Sequence, residues 1–372
     1  MLLTIISFIL VLSVLVLIHE LGHFLTAKKL GIKVEEFGFG FPPRIWGKKI
    51  GETIYSINLL PIGGFVKLYG EDEAGGGQIK LKVENEKLKD KDIKRAFFAR
   101  PVWQRAAIVV AGVVMNFLLA VSILTYLVMV QGVPSQGNNV VIAEVAKDSP
   151  AQKAGLKTGE AILSIDGQKI VSAQQIISYT KKHLGKEILL QVKDEKSKVM
   201  TISVTPRVHY PSNEGAMGIA IGANIVITKY PWYEAPWVGL KEALNQTVMI
   251  LQGFGQLISN LVVSRQVPQD LAGPVGIAQL TGQFVQLGFN AVLSLLALLS
   301  LNLAIINVLP IPALDGGRLF FILLEGLTGK KVSPKVEGYI HTAGMAFLMA
   351  LIILITFHDI GRILSGQSLI PR

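Results

Sequence analysis

The stretch Leu12–Lys29, LSVLVLIHELGHFLTAKK, joins an apolar run to a short group of ionisable residues. The run Leu2–Ile18 is uncharged. As a helix rising 1.5 Å per residue it would be about 26 Å long, most of the thickness of a bilayer core. The motif HELGH, His19–His23, follows directly. Because ionisable groups in a membrane span are costly and usually functional, this stretch indicates both the class of protein and the place of its chemistry.

The composition is that of an integral membrane protein. Of 372 residues, 51% are hydrophobic and the mean hydropathy is +0.49, with the apolar residues grouped in blocks, which soluble domains do not show. The net charge of +10 is best explained by juxtamembrane Lys and Arg. No nucleic-acid module is recognisable, so nucleic acid is not an expected partner. With no cysteine, disulfides, thiolate zinc sites and cysteine nucleophiles are excluded, and a metal must be held by His, Asp or Glu.

Four segments are long and apolar enough to cross a membrane, which needs roughly 20 residues. The predicted spans are residues 1–25, 105–131, 289–311 and 340–358. The first lacks a charged n-region and a small-residue cleavage site, so it is expected to be a retained helix. Residues 232–288 are predicted to form amphipathic helices on the membrane surface, and a fifth span is the alternative.

Charge near the ends of the spans predicts the topology. Lys and Arg follow the first span, precede the second, and lie between the third and fourth. By the positive-inside rule, residues 26–104 and 312–339 lie in the cytoplasm. Both termini and residues 131–288 then lie outside.

The HELGH motif has the spacing of a metal site. Residues four apart share one helix face, so His19 and His23 can bind one ion while Glu20 reaches a metal-bound water as general base. The alternatives are two hydrogen-bonded core histidines, or residues that cap a helix end. Catalytic zinc usually has three protein ligands. The segment NLAIINVLPIPALDGGR, Asn302–Arg318, supplies Asp315 at the same cytoplasmic side, although an N-cap or turn role would also suit an aspartate there.

Two extramembrane regions are predicted to be rich in β-structure. Residues 26–104 contain ETIYSINLLPIGGFVKLYG, which indicates extended segments around the Pro61–Gly64 turn. The interpretation is a membrane-associated β-hairpin beside the site, or alternatively a small cytoplasmic sheet. The charged segment after it, Glu71–Asp92, is predicted to be solvated. Residues 137–208 resemble a PDZ domain through SPAQKAGLKTGEAILSIDGQKI, Ser149–Ile170, although another small β-rich domain is the alternative.

The whole pattern resembles the site-2 protease family of intramembrane metalloproteases. The signatures are HELGH in the first span and NVLPIPALDGG, Asn307–Gly317, after the third. A PDZ domain between the second and third spans is similar to the regulator-of-sigma-E protease group. One departure is Ala111–Val113, AGV, where the family often has AGP; Asn116 is retained, and the change is expected to affect the packing of that helix. Asp270–Gln283 also resembles a family segment, whose role the sequence does not reveal.

The resemblance implies the fold, the site and the function. The fold class is a multi-pass α-helical membrane protein of about four spans, with an inserted PDZ domain and a β-hairpin. The family implies one zinc ion held by His19, His23 and Asp315, with Glu20 as base and Asn307 orienting an unwound substrate. The predicted substrate-binding set is Asn307, Pro310, Pro312, Gly63 and Gly64.

The resemblance also implies partners and a location. The substrates would be single-span membrane proteins, namely anti-sigma factors and remnant signal peptides, cut in regulated intramembrane proteolysis. The PDZ domain would gate the site or bind new carboxyl termini. The location would be the bacterial inner membrane, with the active site near its cytoplasmic side.

Three other functions share some of these sequence features. A non-proteolytic PDZ-containing receptor or scaffold would hold a structural metal, but such a site favours four closed ligands and needs no Glu20. A metal transporter would carry ionisable groups in several spans at mid-depth, whereas here they are concentrated at one boundary. A spore-type member of the same superfamily is disfavoured by the PDZ pattern.

Overall fold

The computed structural model describes residues 2–71, 93–194, 197–211, 214–260, 263 and 272–365. Most of the predicted solvated segment, residues 72–92, lies outside the described residues, as do Asp270 and Leu271. The chain forms two compact units, Val130–Tyr230 and the remainder. The predicted inserted domain therefore corresponds to a unit that extends beyond residues 137–208 on both sides.

The elements, in chain order, are α1 (Leu2–Lys29), β1 (Val34–Ile50), β2 (Thr53–Leu68), a 3₁₀ helix (Phe97–Ala99), α2 (Val102–Val130), β3 (Val133–Val145), α3 (Pro150–Lys153), β4 (Ala161–Ile165), β5 (Gln168–Lys169), α4 (Ala173–Lys182), β6 (Ile188–Lys193), β7 (Val199–Val204), β8 (Ile219–Thr228), α5 (Ala235–Ser259), α6 (Pro274–Leu287), α7 (Phe289–Val308), α8 (Asp315–Thr328) and α9 (Pro334–Leu364).

Within the described residues, α1, α2, α7 and α9 are the helices long and apolar enough to cross a membrane. This confirms the predicted class, a multi-pass α-helical membrane protein with an inserted β-rich domain. Helix α1 continues to Lys29, and the cations in its last turn favour its negative C-terminal end. Helix α7 ends at Val308 because Pro310 cannot continue a helix.

The predicted hairpin is a small, strongly bent sheet. Residues 36–39 pair with residues 64–67 on one side and with residues 54–57 on the other. Because residues 54–57 also pair with residues 46–49, the first half of β1 is central and the second half of β2 forms one edge of the sheet.

The sheet lies directly against α1. The Ser13 hydroxyl donates a hydrogen bond of 2.8 Å to the Pro61 carbonyl. Ser13 lies six residues before His19, which is about 9 Å along the helix. The hairpin therefore follows α1 past the motif and into the apolar segment. At the other end of the sheet, Arg95 pairs with the Glu52 carboxylate through two hydrogen bonds of 2.6 and 2.7 Å, and this guanidinium lowers the pKa of Glu52.

Helix α6 fits among the spans, in contact with α1, α7 and α9. Its N-terminus is closed by a residue of α9: the backbone N–H groups of Gly273 and Gly276 donate to Asp359 Oδ2 at 3.0 and 2.7 Å. A carboxylate at a helix N-terminus satisfies orphan donors and favours the helix dipole. The described part of Asp270–Gln283 thus forms a helix start held by the last span. That α5 and α6 lie at the membrane surface stays a prediction.

The inserted unit contains a six-stranded sheet, in which five strands are hydrogen-bonded in series and the short strand β5 is added at the side. The strand order is β7-β6-β4-β3-β8, and β5 pairs with β4. Its core is built from fully buried branched side chains, including Ile142, Ile162, Ile165, Ile188 and Leu190. The first turn of α3 is capped by Ser149, whose hydroxyl accepts from the Gln152 N–H at 3.1 Å. The strand β8 forms one edge of the sheet.

A buried ion pair holds α8 to the start of α2. Arg105 Nη2 lies 2.6 Å from Glu325 Oε1, and the two side chains are only 9% and 15% exposed. Arg105 also donates through Nε to the Arg100 carbonyl. Because α8 begins at Asp315, this pair fixes the far end of the helix that carries a predicted metal ligand.

We expect Glu325→Gln to destabilise the protein strongly, because it leaves the buried Arg105 charge without its counter-ion. Loss of one partner of a buried pair costs about 3 kcal/mol or more. The measurement is the thermal unfolding midpoint in detergent. Glu35→Gln is the matched control, since Glu35 pairs with an exposed Lys67 at 3.3 Å and should change stability by less than about 1 kcal/mol. An equal decrease of the unfolding midpoint in both variants would show that the Arg105–Glu325 pair stabilises the protein no more than the surface pair does.

Candidate metal centre

Three predicted ligand side chains meet inside the helix bundle. His19 Nε2 lies 2.8 Å from Asp315 Oδ2 and 3.2 Å from His23 Nε2, and His23 Nε2 lies 3.3 Å from the same carboxylate oxygen. Both imidazoles are buried, and Asp315 arrives from the first turn of α8. Among the described residues, this trio is the group of His, Asp and Glu whose atoms could hold a metal ion.

The trio fits a tetrahedral zinc site. With bonds of about 2.0–2.1 Å, two ligand atoms of tetrahedral zinc are about 3.3 Å apart. Two of the three measured separations, 3.2 and 3.3 Å, match this value, and the third is 2.8 Å. Two imidazoles and one carboxylate also form the three-ligand set of catalytic zinc, which leaves a fourth position for water or substrate.

The outer nitrogens of both imidazoles are held by α2. His23 Nδ1 lies 2.8 Å from the Ile108 carbonyl. A carbonyl only accepts, so Nδ1 carries the proton and Nε2 presents its lone pair to the trio. His19 Nδ1 lies 3.2 Å from the Asn116 carboxamide nitrogen, while Asn116 Oδ1 is buried without a partner among the described residues.

Rotating the Asn116 carboxamide by 180° resolves this mismatch. The two amide orientations have the same shape, and the rotated one lets Oδ1 accept from His19 Nδ1–H. Both histidines then direct Nε2 toward Asp315. Metal-binding histidines are normally oriented by such a hydrogen bond on the other nitrogen, so the orphaned Asn116 oxygen supports a metal site.

Close packing of α1 on α2 makes room for the trio. A Cβ added at Gly112 would lie 2.4 Å from His23 Nε2 and 2.7 Å from His19 Cε1. A Cβ added at Gly22 would lie 2.4 Å from the Ala111 carbonyl oxygen. Both distances are far below a normal carbon contact. The helices can therefore approach closely only with glycine at these two positions.

Helix α2 supplies the site residues that sequence reasoning missed. Ile108, Gly112 and Asn116 are spaced four apart and so share one face. The available signal was a glycine and an asparagine at this spacing in an otherwise apolar span. The replacement of the usual proline by Val113 leaves α2 continuous from Val102 to Val130.

Glu20 lies beside the trio and is held by the sheet. Its Oε2 accepts a hydrogen bond of 3.1 Å from the Val66 N–H, on the edge of β2. This bond holds one carboxylate oxygen of Glu20. The Glu20 carboxylate is thus positioned by a backbone group of the sheet.

The five predicted substrate-binding residues occupy different places. The Asn307 carboxamide nitrogen lies 3.4 Å from His19 Nε2, so Asn307 is part of the centre. A Cβ built at Gly63 would lie 3.3 Å from a Val16 methyl carbon, and one at Gly64 would lie 3.9 Å from Glu20 Cγ. The turn therefore lies along α1 at the motif.

The two prolines lie in the loop between α7 and α8. Pro310 is exposed. Pro312 is in close contact with Gly344 of α9. Their roles in substrate binding stay predictions.

We predict that Gly112→Ala abolishes high-affinity zinc binding, because its methyl group would occupy the space beside the two imidazoles. We expect the affinity to fall by at least about 100-fold, more than the loss of an orienting partner costs. Zinc content after dialysis against graded chelator measures this.

Gly253→Ala is the matched control. It makes the same change in α5, where no heavy atom lies within 4 Å of the added Cβ. Zinc retained by Gly112→Ala at the wild-type level would show that the trio is not the metal site. Circular dichroism on both variants separates metal loss from unfolding.

Known proteins are similar to this chain over most of its length. The model of peptidase family M50 matches residues 7–351. The chain is 34% identical to the regulator of sigma-W protease RasP of Bacillus subtilis (strain 168), with 97% of this chain and 99% of the relative covered. It is 32% identical to the zinc metalloprotease RasP of Geobacillus kaustophilus (strain HTA426), covering 96% and 97%.

A solved structure resembles part of the chain. The PDZ domain of an SdrC-like protein from Listeria monocytogenes is 24% identical, with a TM-score of 0.21, and the match covers 24% of this chain and 93% of that one. The family match spans most of the chain and includes every residue of the metal centre. The chain therefore belongs to peptidase family M50, and it is an intramembrane zinc metalloprotease.

Proposed function

We propose that His19, His23 and Asp315 hold one zinc ion, and that Glu20 is the general base of peptide-bond hydrolysis. The observation that carries this proposal is the triangle of ligand atoms at 2.8–3.3 Å with the Glu20 side chain beside it. When bound, zinc would polarise a scissile carbonyl and lower the pKa of a bound water to about 7.

Side chains and backbone groups of the protein would transfer the proton, bind the substrate and orient the imidazoles. Glu20 takes the proton of the attacking water and returns it to the leaving amine. The Val66 N–H holds the carboxylate in place for both transfers. Asn307, 3.4 Å from His19 Nε2, can hydrogen-bond the substrate backbone next to the metal. The α2 groups at Ile108 and Asn116 keep both imidazoles in the metal-binding tautomer.

We propose that the substrate is a membrane-spanning segment, since the site lies within the helix bundle. A helical substrate hides its carbonyls in its own hydrogen bonds and must unwind before attack. The edge of β2 beside Glu20 can then pair with the extended strand, with Gly63 and Gly64 allowing close approach and Pro310 and Pro312 lining the entrance. The name of the Bacillus subtilis relative, a regulator of sigma-W protease, supports anti-sigma factors as substrates. Remnant signal peptides are a further candidate class.

We propose that the inserted unit either controls access of substrates to the site or binds the carboxyl termini of peptides. Its edge strand β8 lies beside α4 within the same unit. A peptide could add to such an edge as a further strand, as in PDZ recognition. New carboxyl termini made by an earlier external cut are the proposed ligands, and a substrate with a bulky ectodomain would be excluded until trimmed.

The decisive experiment is cleavage of a single-span substrate carrying helix-breaking residues, in detergent micelles, with zinc measured in each sample. We expect Glu20→Gln to retain zinc and to lose about 100-fold or more of the rate, since general-base catalysis contributes 10²–10⁴-fold. Asp315→Asn should lose both zinc and activity.

Glu144→Gln and Asp148→Asn, two exposed positions of the inserted unit, are the matched controls and should cleave at the wild-type rate. An unchanged rate in zinc-loaded Glu20→Gln would remove Glu20 from the base role. Zinc bound by wild type without cleavage of any spanning substrate would favour the receptor or scaffold alternative.

The proposed topology has its own test. The chain has no cysteine, so single introduced cysteines are clean probes. In intact bacterial cells a membrane-impermeant maleimide should label Lys147→Cys in the inserted unit, and should label Lys48→Cys on the sheet only after the membrane is permeabilised. The reverse pattern would invert the orientation that the charge distribution predicts.

A further inference from the structure

The loop that delivers Asp315 contains an unusual backbone conformation. Ala313, two residues before the ligand, has φ +75°. Residues with a Cβ rarely adopt this left-handed region, because the Cβ crowds the following carbonyl. Such conformations persist only where the surroundings hold them. Some group outside the loop must therefore stabilise this turn.

His341 of α9 is that group. Its Nδ1 accepts a hydrogen bond of 2.9 Å from the Ala313 N–H. The side chain is 5% exposed, and its ring lies 5.8 Å from that of Phe321 on α8. His341 Nε2 is buried and has no hydrogen-bond partner among the described residues. Within that part of the chain, the bond from the Ala313 N–H is therefore the one hydrogen bond of the ring.

The neighbouring turn of α9 supports the same loop. A Cβ added at Gly344 would lie 2.4 Å from Pro312 Cβ, so the backbone of α9 touches the residue before Ala313. Within α9, the buried residues are His341, Asp359 and Arg362. The first half of α9 therefore contacts the rest of the protein mainly at this loop. Most other residues of that half are exposed.

The turn at Ala313 determines where α8 begins. The Leu314 N–H bonds to the Ile311 carbonyl at 3.2 Å, and the Gly317 N–H bonds to the Leu314 carbonyl at 3.1 Å. A Cβ at Gly316 would overlap the Leu309 carbonyl oxygen, so the first turn of α8 is folded tightly onto the loop. If Ala313 relaxes to negative φ, this packing changes and the Asp315 carboxylate moves away from the imidazoles.

We propose that His341 is a positioning residue for the metal centre, which holds the left-handed turn at Ala313 and thereby aims Asp315 at His19 and His23. The inference rests on the proposed assignment of Asp315 as a zinc ligand. His341 touches neither the metal ligands nor the reacting atoms, and it acts through the backbone N–H of Ala313. The last span is thus part of the metal centre, although it contributes no ligand.

The test is zinc affinity of the full-length protein in detergent, measured by competition with a chelator. His341→Leu removes the acceptor and keeps an apolar side chain, and we expect the affinity to fall 10-fold or more, the range for loss of a group that orients a ligand. His341→Asn places a carboxamide oxygen near the position of Nδ1, and it should stay within about 3-fold of wild type on the same reasoning. His358→Leu is the matched control, because His358 lies on the same helix and is exposed.

A second substitution separates positioning from general damage. Glycine adopts positive φ without the cost of a Cβ, so Ala313→Gly should restore most of the zinc affinity of His341→Leu. A merely structural defect of α9 would not respond to a change in this loop. No rescue, or equal zinc affinity for His341→Leu and wild type, would overturn the inference.

Asp315→Asn in the same assay distinguishes failure of the ligand assignment from failure of the positioning role of His341. If Asp315→Asn binds zinc as wild type does, the ligand assignment itself fails. If Asp315→Asn loses zinc while His341→Leu keeps it, the assignment stands and the role of His341 fails.

Discussion

A polar group in the hydrocarbon core of a bilayer needs a partner in the protein or in a water-filled cavity of the protein, because each unsatisfied group costs several kcal/mol. This constraint is severe at the end of α1, where two imidazoles and two carboxylates meet. Each of these groups has a protein partner: His23 has the Ile108 carbonyl, His19 has Asp315, and Glu20 has the Val66 N–H. The packing of α1, α2, α8 and the sheet follows from the need to bring these partners together.

Each element that packs against α1 supplies some of the hydrogen-bond partners of these groups. Helix α2 contributes a carbonyl, a carboxamide and the space left by a missing side chain, all on one face. The sheet runs along α1 from Ser13 to Glu20 and supplies one partner at each point. Irregular backbone at this depth is tolerated because it lines a protein interior and pairs there. The broken segment after α7 likewise packs against α8 at Gly316 and against α9 at Gly344.

The sequence predicted those features that are encoded locally. The spans follow from runs of apolar residues, and the proposed ligands follow from HELGH and LDGG, whose spacing is a property of one helix or one loop. The partners of His19 and His23 on α2 could not be located, because the contact depends on the rotation of one helix against another. Gly22 and Gly112 make that contact possible, but a glycine in an apolar span gives no sign of what it faces. His341 was hidden for a similar reason, since its partner is a backbone N–H that any residue could provide.

The bent sheet was predicted only in outline. The Pro61–Gly64 turn indicated extended segments, but the pairing of residues 36–39 with two partners at once depends on how each strand bends. Which edge faces α1 depends in turn on the hydrogen bonds of Ser13 and Glu20. Strand pairing is set by partners distant in sequence, so a local pattern cannot fix it.

The separation of the ligands along the chain has a consequence for how the enzyme is made. His19 and Asp315 are 296 residues apart, and the sheet, two spans and the inserted unit lie between them. At about 5–20 residues per second, a ribosome needs on the order of 15–60 s to travel that distance. During this interval the two histidines lie in the membrane without their carboxylate. If Asp315 is the third ligand, the metal centre stays incomplete until the segment that follows the third span has been synthesised.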